Sequence, residues 1–155
     1  MDPEIDFGAL FQQFDTALMG RRTYEALTRA GRGLLPGMIS VVFSRTLRQG
    51  DHPDVILVSE DQEAILRGLR AKPGKDIWLF GGGALFRSLL ALGLVDTVEV
   101  AVIPILLGGG VPLLPAPAQP TQLKLTGHRI YATGIVSLEY AVQRPPVPSV
   151  QESRG

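Results

Sequence analysis

Apolar positions recur along this chain with two periods, and the switches between them divide it into elements. Phe7, Leu10, Phe11 and Phe14 stand three or four apart over residues 7–14, the spacing of one helix face, and Asp6 is placed to cap the first turn. Thr16, Ala17, Leu18 and Met19 form a short run that predicts a buried strand closed by Gly20. A helix then opens at Arg21 and extends to about Ala30. Residues 31–37 read as a loop ending in a Pro36-Gly37 turn, and Ile39, Ser40, Val41, Val42 and Phe43 as the next strand. Residues 55–58 predict a further short strand. Ser59 then reads as an N-cap, Gln62 three residues on completes a capping box, and a helix extends to about Ala71 with Ile65, Leu66 and Leu69 turned inward.

Residues 76–115 organise the rest. Ile77, Trp78, Leu79 and Phe80 are apolar on both alternating faces, the pattern of a central parallel strand covered on both sides. Gly81, Gly82 and Gly83 follow, and then a helical pattern with Leu85, Phe86, Leu89, Leu90 and Leu92 on one side and Arg87 and Ser88 on the other. Gly93 ends that helix, and a strand over residues 98–107 completes a predicted βαβ unit. Pro104 interrupts this strand, and no helical pattern follows the second glycine triplet at 108–110, which therefore reads as a loop. Residues 116–120 are a proline-rich connection. Strands over 122–131 and 134–142 make a hairpin through Ala132, Thr133 and Gly134, and the proline-rich tail from Arg144 reads as disordered.

Three strand ends carry anion-binding chemistry. A strand entering a helix through glycines leaves backbone N–H groups open to a phosphate, and the helix N-terminus adds partial positive charge. Gly81, Gly82 and Gly83 fit that description, although tight strand-helix packing explains the same residues. At Gly20-Arg21-Arg22-Thr23 two cations and a hydroxyl open a helix, where an anion would relieve the unfavourable cation–dipole arrangement and solvation is the competing explanation. Ser44-Arg45-Thr46 is a third polar, basic cluster at a strand end. In open α/β sheets ligands gather at the C-terminal strand edge, so three such clusters on one rim reinforce one another.

Composition narrows the remaining choices. The chain has 155 residues, enough for one domain with a real core. Fifteen basic residues balance fifteen acidic ones, which gives no reason to expect a nucleic-acid partner. With no cysteine there is no disulfide or thiolate chemistry. His52 and His128 lie far apart with no ligand spacing, so no metal site is expected. No apolar run reaches membrane-spanning length and the acidic amino terminus lacks a signal-peptide core, so neither a membrane partner nor export is expected and the protein is read as cytoplasmic.

The segments MGRRTYEAL, VVFSRTL, IWLFGGGALFRSLL and IPILLGGGVPLL follow in an order and spacing that resembles the dihydrofolate reductase superfamily, most closely the branch of the riboflavin-biosynthesis reductase (RibD C-terminal) domain. The resemblance covers residues 7–142. It implies an α/β, three-layer dihydrofolate-reductase-like fold over residues 1–143. A mostly parallel central sheet would end in an antiparallel strand, with helices on both faces and a disordered tail over 144–155. It implies NADPH as cofactor. Gly20, Arg21, Arg22 and Thr23 would hold cofactor phosphate, Ser44, Arg45 and Thr46 the adenosine side with its 2′-phosphate, and Gly81, Gly82, Gly83, Ala84 and Leu85 the pyrophosphate. It also implies a cis Gly81–Gly82 peptide.

Relatives of this kind begin with a strand and loop that contact nicotinamide and substrate, and this chain is expected to start after them, leaving unpaired backbone groups in the sheet. No catalytic acid or base is assigned: Asp76 lies at the far end of its strand and Glu25 on the phosphate helix reads as solvated. The implied activity is NADPH-dependent hydride transfer to a small pterin- or pyrimidine-like heterocycle, by a protein that forms a homodimer through its later strands. Two alternatives remain: a truncated or degenerate nucleotide-binding domain without activity, and an interaction module whose glycines serve packing alone.

Overall fold

The computed structural model describes residues 4–31 and 34–144. The amino-terminal helix α1 (Phe7–Phe11) is capped by the Asp6 carboxylate, which accepts from the Ala9 amide at 2.9 Å. It stops earlier than its periodicity suggests, because Phe14 belongs to the strand β1 (Phe14–Gly20). Next come α2 (Arg21–Arg29), β2 (Ile39–Phe43), β3 (Ile56–Val58), α3 (Gln62–Arg70), β4 (Asp76–Gly81), α4 (Gly83–Ala91) and β5 (Thr97–Val102). The strands β6 (Leu123–Ile130) and β7 (Val136–Val142) complete the order. Residues 145–155, where the sequence predicts a disordered tail, lie outside the described residues.

The described residues divide into two compact units, those up to 94 together with 105–118, and 95–104 together with 119–144. The first holds a four-stranded parallel sheet of order β3-β2-β1-β4. Its centre is β1, whose Ala17, Leu18 and Met19 are at most 2% exposed. Alternation sends Ala17 and Met19 to one face, where they pack with Val42, Val55 and Tyr24 of α2. The β1–α2–β2 and β3–α3–β4 connections cross the sheet in opposite directions, so right-handed crossovers place α2 and α3 on opposite faces. Buried Leu66 of α3, and Leu85 and Leu89 of α4, lie outside the α2 cluster. The α/β class with helices on both faces is therefore observed.

Several local expectations are corrected. Ser59 is not the cap of α3; Asp61 is, in the left-handed region (φ 49°, ψ 43°) and without a side-chain cap bond, so the capping box does not form. Ile65 is 42% exposed rather than inward. The strand β4 is not central: among the described residues it pairs with β1 alone and ends its sheet, and its side chains after the exposed Asp76 are only half-buried. Nor does β5 close a βαβ unit with β4. It ends at Val102 and pairs antiparallel with β7 in the second unit, a three-stranded sheet of order β5-β7-β6. The hairpin of β6 and β7 forms as predicted, closed by the Tyr131 backbone amide donating to the Ile135 carbonyl at 2.9 Å. Both β4 and β5 keep one edge without a strand partner among the described residues. No helix among the described residues is long and apolar enough to cross a membrane.

Candidate functional site

Because the sheet of the first unit is parallel, the C-terminal ends of β1, β2, β3 and β4 share one rim. All twelve residues singled out in the sequence lie along it. Gly20 ends β1 and is the N-cap of α2, followed by Arg21, Arg22 and Thr23 in the first helical turn. Gly81 ends β4, Gly82 is the N-cap of α4, and Gly83, Ala84 and Leu85 open that helix. Neither glycine cap supplies a side-chain hydrogen bond, so both helix starts keep backbone donors that a ligand oxygen can take.

The two glycine turns meet at Thr23. A Cβ built on Gly82 would stand 3.3 Å from the Thr23 hydroxyl, and one on Gly81 3.5 Å from it. The threonine thus braces the turn from below, and Gly81, at φ 149°, adopts a backbone that a side chain would oppose. The Gly81–Gly82 peptide is cis, as the resemblance implies. On the other side, residues 112–115 lie against Gly83, where an added Cβ would meet Pro115 Cδ at 2.9 Å and the Leu113 carbonyl at 3.1 Å. Arg87 Nη1 holds that segment by donating to the Ala116 carbonyl at 2.8 Å. The close approach of this loop explains Gly83 without any ligand, so the packing explanation and the anion explanation divide the triplet between them. Leu85 is buried, and only its backbone can face the rim.

The basic residues differ in availability. Arg21 pairs with Glu25 at 2.9 Å on the exposed side of α2, so Glu25 balances a cation at the dipole's positive end and is not merely solvated. Arg22 and Arg45 are exposed and have no hydrogen-bonded or ionic partner among the described residues. Ser44 is buried and its hydroxyl shapes the turn after β2, accepting from the Thr46 and Leu47 amides at 3.2 and 3.1 Å. Its own amide donates to the Val58 carbonyl at 2.9 Å, which ties the ends of β2 and β3 together. Arg45 and Thr46 are thereby left as the exposed groups of that cluster.

Two features escaped the sequence. Tyr24 Oη lies 2.9 Å from His52 Nδ1, with the rings edge to face at 5.3 Å, a pairing across 28 positions that no local pattern announces. Arg45 also shares an open cavity of about 530 Å³ with Ser59, Glu60 and Asp61 at the end of β3. The signal was available there, a polar run directly after a strand, but it was absorbed into a helix cap.

A fold with these glycine turns at one sheet rim can be compared with known proteins. The profile of the RibD C-terminal domain matches residues 3–137. The chain belongs to the RibD C-terminal domain family. Membership places it in the dihydrofolate-reductase-like superfamily and among proteins of reductase type. Within reach of this family, the uncharacterized protein YyaP of Bacillus subtilis (strain 168) is 31% identical over 152 residues, covering 90% of this chain and 80% of that protein. A provisionally designated riboflavin biosynthesis protein from Shewanella sp. PV-4 superposes with a TM-score of 0.78 at 26% identity, covering 92% of this chain and 82% of that one. A pyrimidine reductase-like protein from Corynebacterium diphtheriae gives 0.68 at 16% identity over the same shares, a likeness of fold.

Proposed function

We propose that this protein is an NADPH-dependent reductase that delivers hydride to a small heterocycle of pterin or pyrimidine type, with the dinucleotide held along the C-terminal rim of the parallel sheet. The observation that carries this reading is the placement on one sheet rim of two helix starts without side-chain caps, at Gly20 and Gly82, and of the guanidinium groups of Arg22 and Arg45, which have no partner among the described residues. Such a donor set suits a ligand with several phosphates: backbone N–H groups and dipoles take a pyrophosphate, and guanidinium groups take terminal phosphates. In this assignment the α4 start, with Gly81 to Leu85, holds the pyrophosphate, and the α2 start, with Arg22 and Thr23, adds phosphate contacts. Arg45 and Thr46 take the adenosine 2′-phosphate. When bound, the nicotinamide supplies the hydride, and the protein's part is to bind and orient.

Family membership supports a reductase, and the likeness to a protein of riboflavin biosynthesis supports a small heterocyclic substrate. Calorimetric titration of the chain with NADPH tests the reading. Wild type should bind, and Arg22→Ala and Arg45→Ala should each weaken binding by about tenfold, the loss of one charge-assisted contact. A folded wild-type chain that takes up no NADPH refutes it.

A further inference from the structure

The rim does not stop at Arg45. Beyond it β3 ends, and Ser59, Glu60 and Asp61 line the same cavity as the guanidinium. Asp61 is the only non-glycine residue at positive φ among the described residues. Aspartate tolerates that region better than most residues, yet here the conformation does not serve the usual capping bond, since its side chain makes none. The carboxylates of Glu60 and Asp61 have no hydrogen-bonded or ionic partner among the described residues, and neither has the Arg45 guanidinium. One cation and two anions thus share a cavity without pairing.

Each charge prefers a different ribose. A guanidinium favours a 2′-phosphate, whereas a carboxylate accepts hydrogen bonds from an unmodified 2′,3′-diol and repels a phosphate dianion. We propose that Glu60 and Asp61 set the cofactor selectivity of this rim, lowering the preference for the 2′-phosphorylated dinucleotide that Arg45 alone would impose, so that NADH is accepted alongside NADPH. The inference rests on the rim being the dinucleotide site.

The test is a titration of the full chain with NADPH and with NADH, at low and high salt, in wild type, Glu60→Gln, Asp61→Asn and the double variant. Asparagine is chosen because it also tolerates the left-handed backbone at position 61. Each single change should tighten NADPH by about 3–10-fold, the range expected when one screened like charge is removed at a few ångströms. It should leave NADH unchanged or weaker, and the gain should shrink at high salt. An NADPH-to-NADH affinity ratio that stays the same in the double variant overturns the inference while leaving the dinucleotide site intact. Equal tightening of both dinucleotides also overturns it, since that reports net charge only. If neither dinucleotide binds any of the four proteins, the reading of the rim fails and this inference fails with it.

Discussion

Gly83→Ala is the sharpest perturbation of the glycine turn, because its effect can be worked from contacts. Gly83 has no left-handed backbone to protect, so the substitution acts through space alone. The new methyl would lie 2.9 Å from Pro115 Cδ, 3.1 Å from the Leu113 carbonyl oxygen and 3.3 Å from that of Pro112. Two of these neighbours are backbone and the third is a ring, so relief requires the 112–115 segment to move as a piece. Overpacking of this kind costs about 1–3 kcal/mol. Alanine's helix propensity offsets at most about 1 kcal/mol, and less in a first turn. The expected net loss is about 1–2 kcal/mol in urea denaturation, accompanied by faster limited proteolysis within residues 111–116. Arg87→Ala should speed cleavage in the same segment without the clash, by removing the 2.8 Å bond to the Ala116 carbonyl. A Gly83→Ala protein with an unchanged or higher midpoint and unchanged cleavage would refute the claim that the loop, rather than a ligand, requires glycine there.

Tyr24→Phe should cost about 1 kcal/mol by leaving His52 Nδ1 without its 2.9 Å partner in a half-buried place, and a double-mutant cycle with His52→Ala should show coupling between the two residues. The Asp15 carboxyl is held below the usual carboxylate range, first by the Lys75 backbone amide at 2.7 Å and then by the Thr16 hydroxyl at 2.8 Å. Its stabilisation is present above the ordinary pKa and lost as pH falls through the lowered one, so Asp15→Asn should lower the thermal midpoint at neutral pH and match wild type in strong acid. Glu99 faces Glu139 across the β5–β7 pair and its pKa is raised, first by burial and then by that neighbour. Stability from this group is fully present below the unfolded pKa and is lost as pH rises through the raised folded value. Glu99→Gln should therefore stabilise the protein by about 0.5 kcal/mol at neutral pH, an advantage that a thermal series should find vanishing in acid.

Periodicity and glycine placement made most of the first unit legible. The short run over residues 16–19 located a buried strand, and the glycine after each of two strands located two helix starts on one rim. What failed depends on information that is not local. The edge position of β4 is decided by which strands flank it, and no pattern within Asp76–Gly81 reports that β1 is its one strand partner among the described residues. The capping box failed because Ser-x-x-Gln fixes a spacing but not the backbone that must deliver the hydroxyl, and the chain enters α3 through Asp61 instead. At the site, residue types were legible and availability was not: Ser44 and Arg45 are adjacent, yet one is tied into a turn and the other has no partner among the described residues.

The aromatic cluster at the foot of β4 has a practical consequence. Trp78 is the chain's single tryptophan, stacked on Phe14 at 5.3 Å, tilted against Phe11 at 5.7 Å and met edge-on by Phe80 at 5.1 Å. These rings come from β1, α1 and β4, and Phe80 directly precedes the glycine turn. A five-residue helix such as α1 has little stability of its own, so Phe11 stays on the indole only while the tertiary packing holds. The protein therefore carries an unengineered fluorophore whose emission colour reads the docking of its first helix.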